Sequence, residues 1–210
     1  MIDYLVRYSD RLIDATVTHL QLVTISLLIA IAIAGVIIYT LIHNQRWLKR
    51  LTYFFSALYS VPSYALFALL IPVTGLGADT AMIVLTLYCE YILLRTFSTG
   101  IQEIDPMIVE AAIGMGMTDK ELFFRIYLPL SSKTIFSGIR LAMTSSIGIA
   151  TIGATINAGG LGTILFSGLR TQDMVQILWG MILTVLLCIA CNFILKQIEK
   201  FALRNYELEG

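Results

Sequence analysis

Charge is what this sequence has least of. Only 13% of its 210 residues are Asp, Glu, Lys or Arg, about half the share, near 25%, of a soluble domain, so an ordinary water-soluble fold is excluded. Basic and acidic residues number 14 each, and the formal net charge of zero leaves no overall attraction to nucleic acid. No G-x-x-x-x-G-K-[ST] stretch occurs, so the chain cannot itself cradle nucleotide phosphates. No G-x-S-x-G occurs either, and the two histidines, His19 and His43, sit at the edges of apolar runs, where a polar ring in the membrane interface needs no special explanation. An intramembrane hydrolase would therefore lack its nucleophile and base. The three cysteines, Cys89, Cys188 and Cys191, all fall inside apolar runs. The Cys188-x-x-Cys191 spacing has no nearby His or second Cys pair to complete a metal site, and these residues read as small membrane-helix side chains. Repeats, low-complexity tracts and a second domain are also missing.

What is abundant is apolar surface: 58% of residues are hydrophobic and the mean hydropathy is +0.84. Five runs, at about 21–42, 51–71, 80–99, 134–156 and 175–195, are each long enough to cross a bilayer core, which takes about 20 residues. A helix is the only open-chain structure that satisfies its own backbone in lipid. The first run is too long for a cleavable signal peptide and its positive charges follow it. Arg46, Lys49 and Arg50 follow the first run, Lys120, Arg125 and Lys133 lie between the third and fourth, and Lys196, Lys200 and Arg204 are in the tail. The 72–79 turn has no Lys or Arg and the stretch before the fifth run has only Arg170. Positive loops stay inside, so the N-terminus is outside and the C-terminus inside. Residues 1–18 read as an extracellular amphipathic lead-in, with Arg7, Asp10, Arg11 and Asp14 wet and Leu5, Tyr8 and Leu12 toward lipid. Residues 19–198 form the membrane domain, with a cytoplasmic loop at about 101–133, and 199–210 a cytoplasmic tail.

That cytoplasmic loop is unlike the rest of the chain. Asp105 is placed to cap a helix and Pro106 suits its first position. Gly114 and Gly116 keep this helix short, and Gly116 is suited to a left-handed terminus. Thr118 with Glu121 spells a capping box that opens a second helix, and Pro129 is expected to end it before the next span. A helix so short is marginal alone in water, so it needs a surface to lie on, either its own spans or another protein. On these residues alone, the pair reads equally as an ordinary well-capped inter-helix loop.

Glu110-Ala111-Ala112, then Gly116, Ile126, Leu128 and Pro129, is similar to the EAA motif of ABC-importer permeases, with the spacing EAA-x3-G-x9-I-x-L-P complete. The resemblance runs from about residue 19 to 198. The stretches 59–80, 95–106 and 151–169 resemble the osmoprotectant branch, which carries quaternary ammonium compounds such as glycine betaine, carnitine and choline. The methionine-importer branch shares a similar Ala-Gly-Gly-Leu-Gly segment. The resemblance implies an all-α integral membrane protein with the type I ABC-importer permease fold, close to the methionine-importer permease, with about five transmembrane helices in the cell membrane of a bacterium. It implies that Glu110, Ala111, Ala112, Gly116, Ile126, Leu128 and Pro129 couple to a cytoplasmic ATPase subunit, which would bind the ATP and magnesium. This chain would bind no cofactor or metal. A second permease subunit, identical or paralogous, and an extracellular substrate-binding protein complete the expected assembly. A permease for methionine or another small amino acid is the nearest alternative reading, and a passive channel or membrane scaffold a more distant one.

Further residues are candidates for the path or its gate. Pro62 would kink the second span, as gate machinery or as mere shape. Residues 145–162 are rich in small side chains, which permit close helix packing. Alternatively this stretch lines the path, with Asn157, Gly159, Gly160 and Gly162 bending back at an outer gate. Glu90 lies near the middle of the third span, either as a packing residue or as a carboxylate that helps a cationic substrate past the midplane. Tyr59, Tyr64, Tyr88 and Tyr91 could cage a quaternary ammonium. Arg95 and Arg140 lie near cytoplasmic ends, where they can snorkel.

Overall fold

The computed structural model describes residues 2–204. They form an all-helical bundle: α1 (Ile2–Arg7), α2 (Ser9–Leu41), α3 (Gln45–Ser60), α4 (Ser63–Thr74), α5 (Ala78–Gln102), α6 (Pro106–Gly114), α7 (Asp119–Leu122), α8 (Leu128–Gly153), α9 (Gly162–Thr171) and α10 (Met174–Leu203). A π-turn, Phe123–Tyr127, joins α7 to α8, and a 3-10 turn, Ala154–Ile156, follows α8. Four helical stretches are long and apolar enough to span a membrane, and α3 with α4, bent by 100° at their junction, are so only as a pair.

The first span differs from its expected limits. With 33 residues, α2 is about 50 Å long, well beyond the roughly 30 Å hydrocarbon core. It passes through residues 18 and 19 without a break. Leu12, expected against lipid, is buried in the protein, because α2 carries the lead-in along the outer end of the bundle. Of the expected tail, residues 199–203 continue α10 and residues 205–210 lie outside the described residues.

The second span is two helices rather than one kinked helix. Val61 is extended (φ −71°, ψ 134°), the conformation proline imposes on the residue before it, and Pro62 brings no N–H to continue the ladder. Tyr88 of α5 donates its phenolic hydrogen to the Val61 carbonyl freed by the break.

Close packing of α5 on α8 builds the centre. A methyl group added at Gly138 would meet Thr96 Oγ1 at 2.0 Å, and one at Gly100 would meet Thr134 Cβ at 2.9 Å. Cys89 and Ser146 touch across the same interface at 2.9 Å. The cysteines are unbridged, in line with a packing role. Toward the cytoplasmic side, Arg140 of α8 pairs with Glu199 of α10, so Arg140 is held by a carboxylate rather than snorkelling. Asn192 Nδ2 donates to Thr144 Oγ1 at 2.9 Å two turns away.

Short α9 folds back on α10 before the last span, an element the apolar runs do not announce because it has only ten residues. A Cβ at Gly180 would meet Leu165 Cβ at 3.0 Å, and one at Gly168 the Ile177 nitrogen at 2.8 Å. Asp173 caps α10 through the Val175 and Gln176 amides, at 2.9 and 3.4 Å.

Candidate functional site

The cytoplasmic helix pair is assembled from local hydrogen bonds. Asp105 Oδ1 accepts from the Met107 amide at 2.9 Å, and Pro106 opens α6. Gly116 reverses the chain at φ +82°. Thr118 Oγ1 accepts from the Glu121 amide at 3.3 Å, and Glu121 Oε2 accepts from the Thr118 amide at 3.0 Å. The hydrogen bond from the Thr118 amide, then that from its hydroxyl, holds the Glu121 carboxyl below the usual carboxylate range.

Pro129 does not end the second helix, contrary to expectation. The stretch Asp119–Ile156 is continuous over 38 residues. The π-turn accommodates the proline: the Leu128 amide reaches back five residues to the Phe123 carbonyl, a widened turn of the kind that relieves a helix of a missing donor. The surface on which this segment lies is α2. Tyr39 packs edge-on against Phe123 with centroids 5.0 Å apart, and Leu122 and Phe123 are buried.

Within the motif, Glu110, Ala111, Gly116 and Leu128 are exposed, Ile126 and Pro129 half-buried, and Ala112 buried. Around them Met107 is 75% exposed, Ile113 56% and Met115 73%. Sequence reasoning missed these three because the whole chain is apolar. Only topology tells that this ridge faces water, where an apolar patch marks a contact surface.

The outer turn is built differently. Asn157, Gly159 and Gly160 have φ of +64°, +84° and +78°, while Ala158 and Leu161 are buried. Gly162 tolerates no side chain, since a Cβ there would lie 1.9 Å from the Thr151 carbonyl oxygen. The turn is fastened by His19, which is not at a wet interface but fully buried. Its Nδ1 accepts from the Leu161 amide at 3.2 Å, so the ring must carry its hydrogen on Nε2, which lies 3.1 Å from the Ile147 carbonyl of α8. A Cβ at Gly160 would meet that Nδ1 at 2.8 Å, so the glycine admits the ring.

A groove runs between α3 and α5, with Leu141 of α8 at one side. One part, of about 400 Å³, is lined by Ser56, Tyr59, Ser60, Tyr91, Arg95 and Thr96, among others. A second, of about 370 Å³, shares Ser56, Tyr91 and Arg95 and continues to Lys49 and Gln102. Tyr59 stands 5.3 Å from Tyr88 and 5.0 Å from Tyr91 between ring centroids, whereas Tyr64 lies apart on α4 and is exposed. Glu90 is elsewhere. It is 1% exposed and shares the face of α5 on which Thr86 donates to the Ser26 carbonyl of α2. Neither of its oxygens has a hydrogen-bond partner among the described residues. Pro62 is exposed at the α3–α4 break. The structure thus groups the motif residues at one end and the 157–162 turn at the other, with Glu90 between them but turned toward α2.

A bent-span helical bundle in the bilayer, with a capped helix pair on its cytoplasmic face, defines the chain as a membrane transport subunit. Over residues 26–204 it matches the family described as binding-protein-dependent transport system inner membrane component, and it belongs to that family. It is 32% identical over 204 residues to the osmoprotectant import permease protein OsmW of Salmonella typhimurium, covering 94% of each chain. It is 33% identical over 174 residues to the glycine betaine/carnitine/choline transport system permease protein OpuCD of Bacillus subtilis, covering 80% of this chain and 75% of that one. The ergothioneine transport permease/ergothioneine binding protein EgtU of Helicobacter pylori is 39% identical over 135 residues, 64% of this chain but 24% of its own length. In fold, the chain superposes on a subunit of the inward-facing MetNI methionine ABC transporter with a TM-score of 0.78 at 21% identity, covering 87% of this chain and 92% of that one.

Proposed function

We propose that this chain is the membrane-spanning subunit of an importer for quaternary ammonium solutes of the glycine betaine, carnitine and choline class. The observation that carries the reading is the coupling loop: a rigid, doubly capped helix pair that offers Met107, Ile113 and Met115 to water around a complete EAA spacing. Such a ridge suits docking of a cytoplasmic ATPase, which would hold the ATP and magnesium. Family membership implies this ATPase and a substrate-binding protein as partners. A second permease subunit would complete the path.

In this reading Glu110, Ala111, Ala112, Gly116, Ile126, Leu128 and Pro129 present or brace the docking surface. Pro62, Asn157, Gly159, Gly160 and Gly162 shape the path and its outer gate, and Glu90 tunes the packing of α2 against α5 beside it. The substrate class is supported by relatives that cover most of the chain. The methionine alternative has only a likeness of fold below 25% identity.

The test is uptake of labelled glycine betaine and choline by cells with and without the gene, with ATP depletion as control. Loss of ATP-dependent uptake of either compound on deletion supports the reading. Unchanged uptake of both, in a strain without other importers for them, refutes the substrate class. Glu110→Lys is expected to abolish uptake with the protein still in the membrane, and normal uptake by this variant would refute the coupling role.

A further inference from the structure

The groove between α3 and α5 holds a cation that nothing in the bundle neutralises. Arg95 is exposed within it and donates from Nη1 to the Tyr91 hydroxyl at 2.8 Å. Among the described residues it has no carboxylate partner. Glu90, five residues earlier, points about 140° away around the helix and faces α2. The groove opens toward the cytoplasmic end of the bundle, where Lys49, Arg95 and Gln102 line it and are all exposed, so a charged ligand there stays in contact with water rather than lipid.

Beside the cation stands an aromatic wall. Tyr59 is flanked by Tyr88 and Tyr91. Tyr88 is pinned by its bond to the Val61 carbonyl, and Tyr91 by Arg95. One face of Tyr91 is already approached by the Arg95 guanidinium, 6.0 Å from the ring centroid, which leaves Tyr59, half-buried and lining the groove, as the ring for a second cation. A quaternary ammonium binds aromatic faces, but a lone cation this close to Arg95 is repelled. A ligand that carries its own carboxylate removes the conflict, because the carboxylate takes the guanidinium and leaves the ammonium for the ring.

We propose that this groove is a substrate subsite selective for trimethylammonium zwitterions, with Arg95 holding the carboxylate and Tyr59 the ammonium. Glycine betaine and carnitine fit this chemistry, and choline, which has a hydroxyl in place of the carboxylate, does not. The proposal rests on the reading of the chain as a quaternary ammonium importer and names which members of that class the permease itself favours.

The experiment reconstitutes the complete transporter with its ATPase and binding protein in proteoliposomes and compares uptake of glycine betaine with that of choline. Wild type, Arg95→Gln, Arg95→Lys and Tyr59→Leu share the same binding protein, so a change in ratio belongs to the permease. Arg95→Gln is expected to lower the betaine-to-choline ratio by about tenfold to a hundredfold, as loss of a charged hydrogen bond does. Arg95→Lys, which keeps the charge but not the fork, is expected to lower it less. Tyr59→Leu is expected to slow glycine betaine and to affect choline, which does not fit the subsite, less. An unchanged ratio in Arg95→Gln, or equal loss of both substrates in Arg95→Gln and Arg95→Lys at normal membrane levels, overturns the subsite while leaving the importer reading intact. Wild-type transport of neither compound overturns both.

Discussion

The two glycine-broken turns at opposite ends of the continuous helix Asp119–Ile156 solve the same problem by opposite means. Both reverse the chain through positive-φ residues, Gly116 on one side and Asn157, Gly159 and Gly160 on the other. The cytoplasmic turn is closed by residues two or three positions apart, Asp105 with Met107 and Thr118 with Glu121, and open space surrounds its glycine. The outer turn is closed by His19, 142 residues from Leu161, and its glycines are packed against α2 and α8. A self-contained turn can be presented to a partner as a rigid body. One bolted to distant helices moves only when they move.

The sharpest way to break that comparison is to add the same bulk to each turn. Gly162→Val drives side-chain carbon into the Thr151 carbonyl, and no rotamer avoids a clash with backbone. The expected outcome is loss of folded protein from the membrane, since overpacking costs about 1–3 kcal/mol even where side chains can yield. Gly116→Ala meets no neighbour and suffers only its left-handed backbone, about 1 kcal/mol. Normal membrane levels are expected. Equal levels of the two proteins on an immunoblot would show that the outer turn is as loose as the inner one.

Next in size is the bolt itself. His19→Ala orphans the buried Leu161 amide, at about 1–3 kcal/mol, and removes a second hydrogen bond from the Ile147 carbonyl, which still accepts within α8. Thermal unfolding in detergent should fall accordingly. His19→Asn places an oxygen near the Nδ1 position and should recover part of the loss by again accepting from Leu161. Identical melting of the alanine and asparagine variants would mean that the Leu161 bond contributes nothing.

This contrast also explains what could be read from the residues alone. Span number, orientation and the caps of α6 and α7 follow from hydropathy, loop charge and side chains a few positions apart, all of which a linear reading contains. The break at Pro62 is legible as a kink, but its 100° angle and the Tyr88 hydroxyl that takes the freed carbonyl are not. Pro129 does not end its helix because the simple rule omits the π-turn, in which the Leu128 amide reaches back to the Phe123 carbonyl. His19 and Arg95 were discounted at span edges, where a polar residue usually meets water. His19 acquires its role from Leu161 and Ile147, far away in the chain, and Arg95 from the groove it shares with Tyr59 and Ser56 of α3.

A smaller effect separates the two ends of the cytoplasmic turn. Thr118→Ala removes the side-chain acceptor for the Glu121 amide and should cost about 0.5–2 kcal/mol of local stability. Amide exchange should rise in α7 and stay unchanged at the outer turn. If protection falls equally at both, the turns are coupled through α8.

The smallest expected effect is of pH. Glu121 is held below its ordinary range by the Thr118 amide and hydroxyl, so its carboxylate favours the folded cap at any pH above the unfolded value, near 4.3. That contribution is lost only as pH falls through the depressed folded value. Exchange in α7 should therefore be flat, apart from the intrinsic chemical rate, from neutrality down to about pH 5, and should accelerate below the usual carboxylate range. Glu121→Gln keeps an acceptor for the Thr118 amide without a titrating proton, so its profile should lack the acid limb. An acid limb that survives in Glu121→Gln would assign it to another carboxylate, with Asp119, which lies 3.5 Å from His43, the next to replace. The docking ridge beside this cap then keeps its shape throughout the range in which a cytoplasmic ATPase would engage it, because the group that holds the cap titrates only in acid.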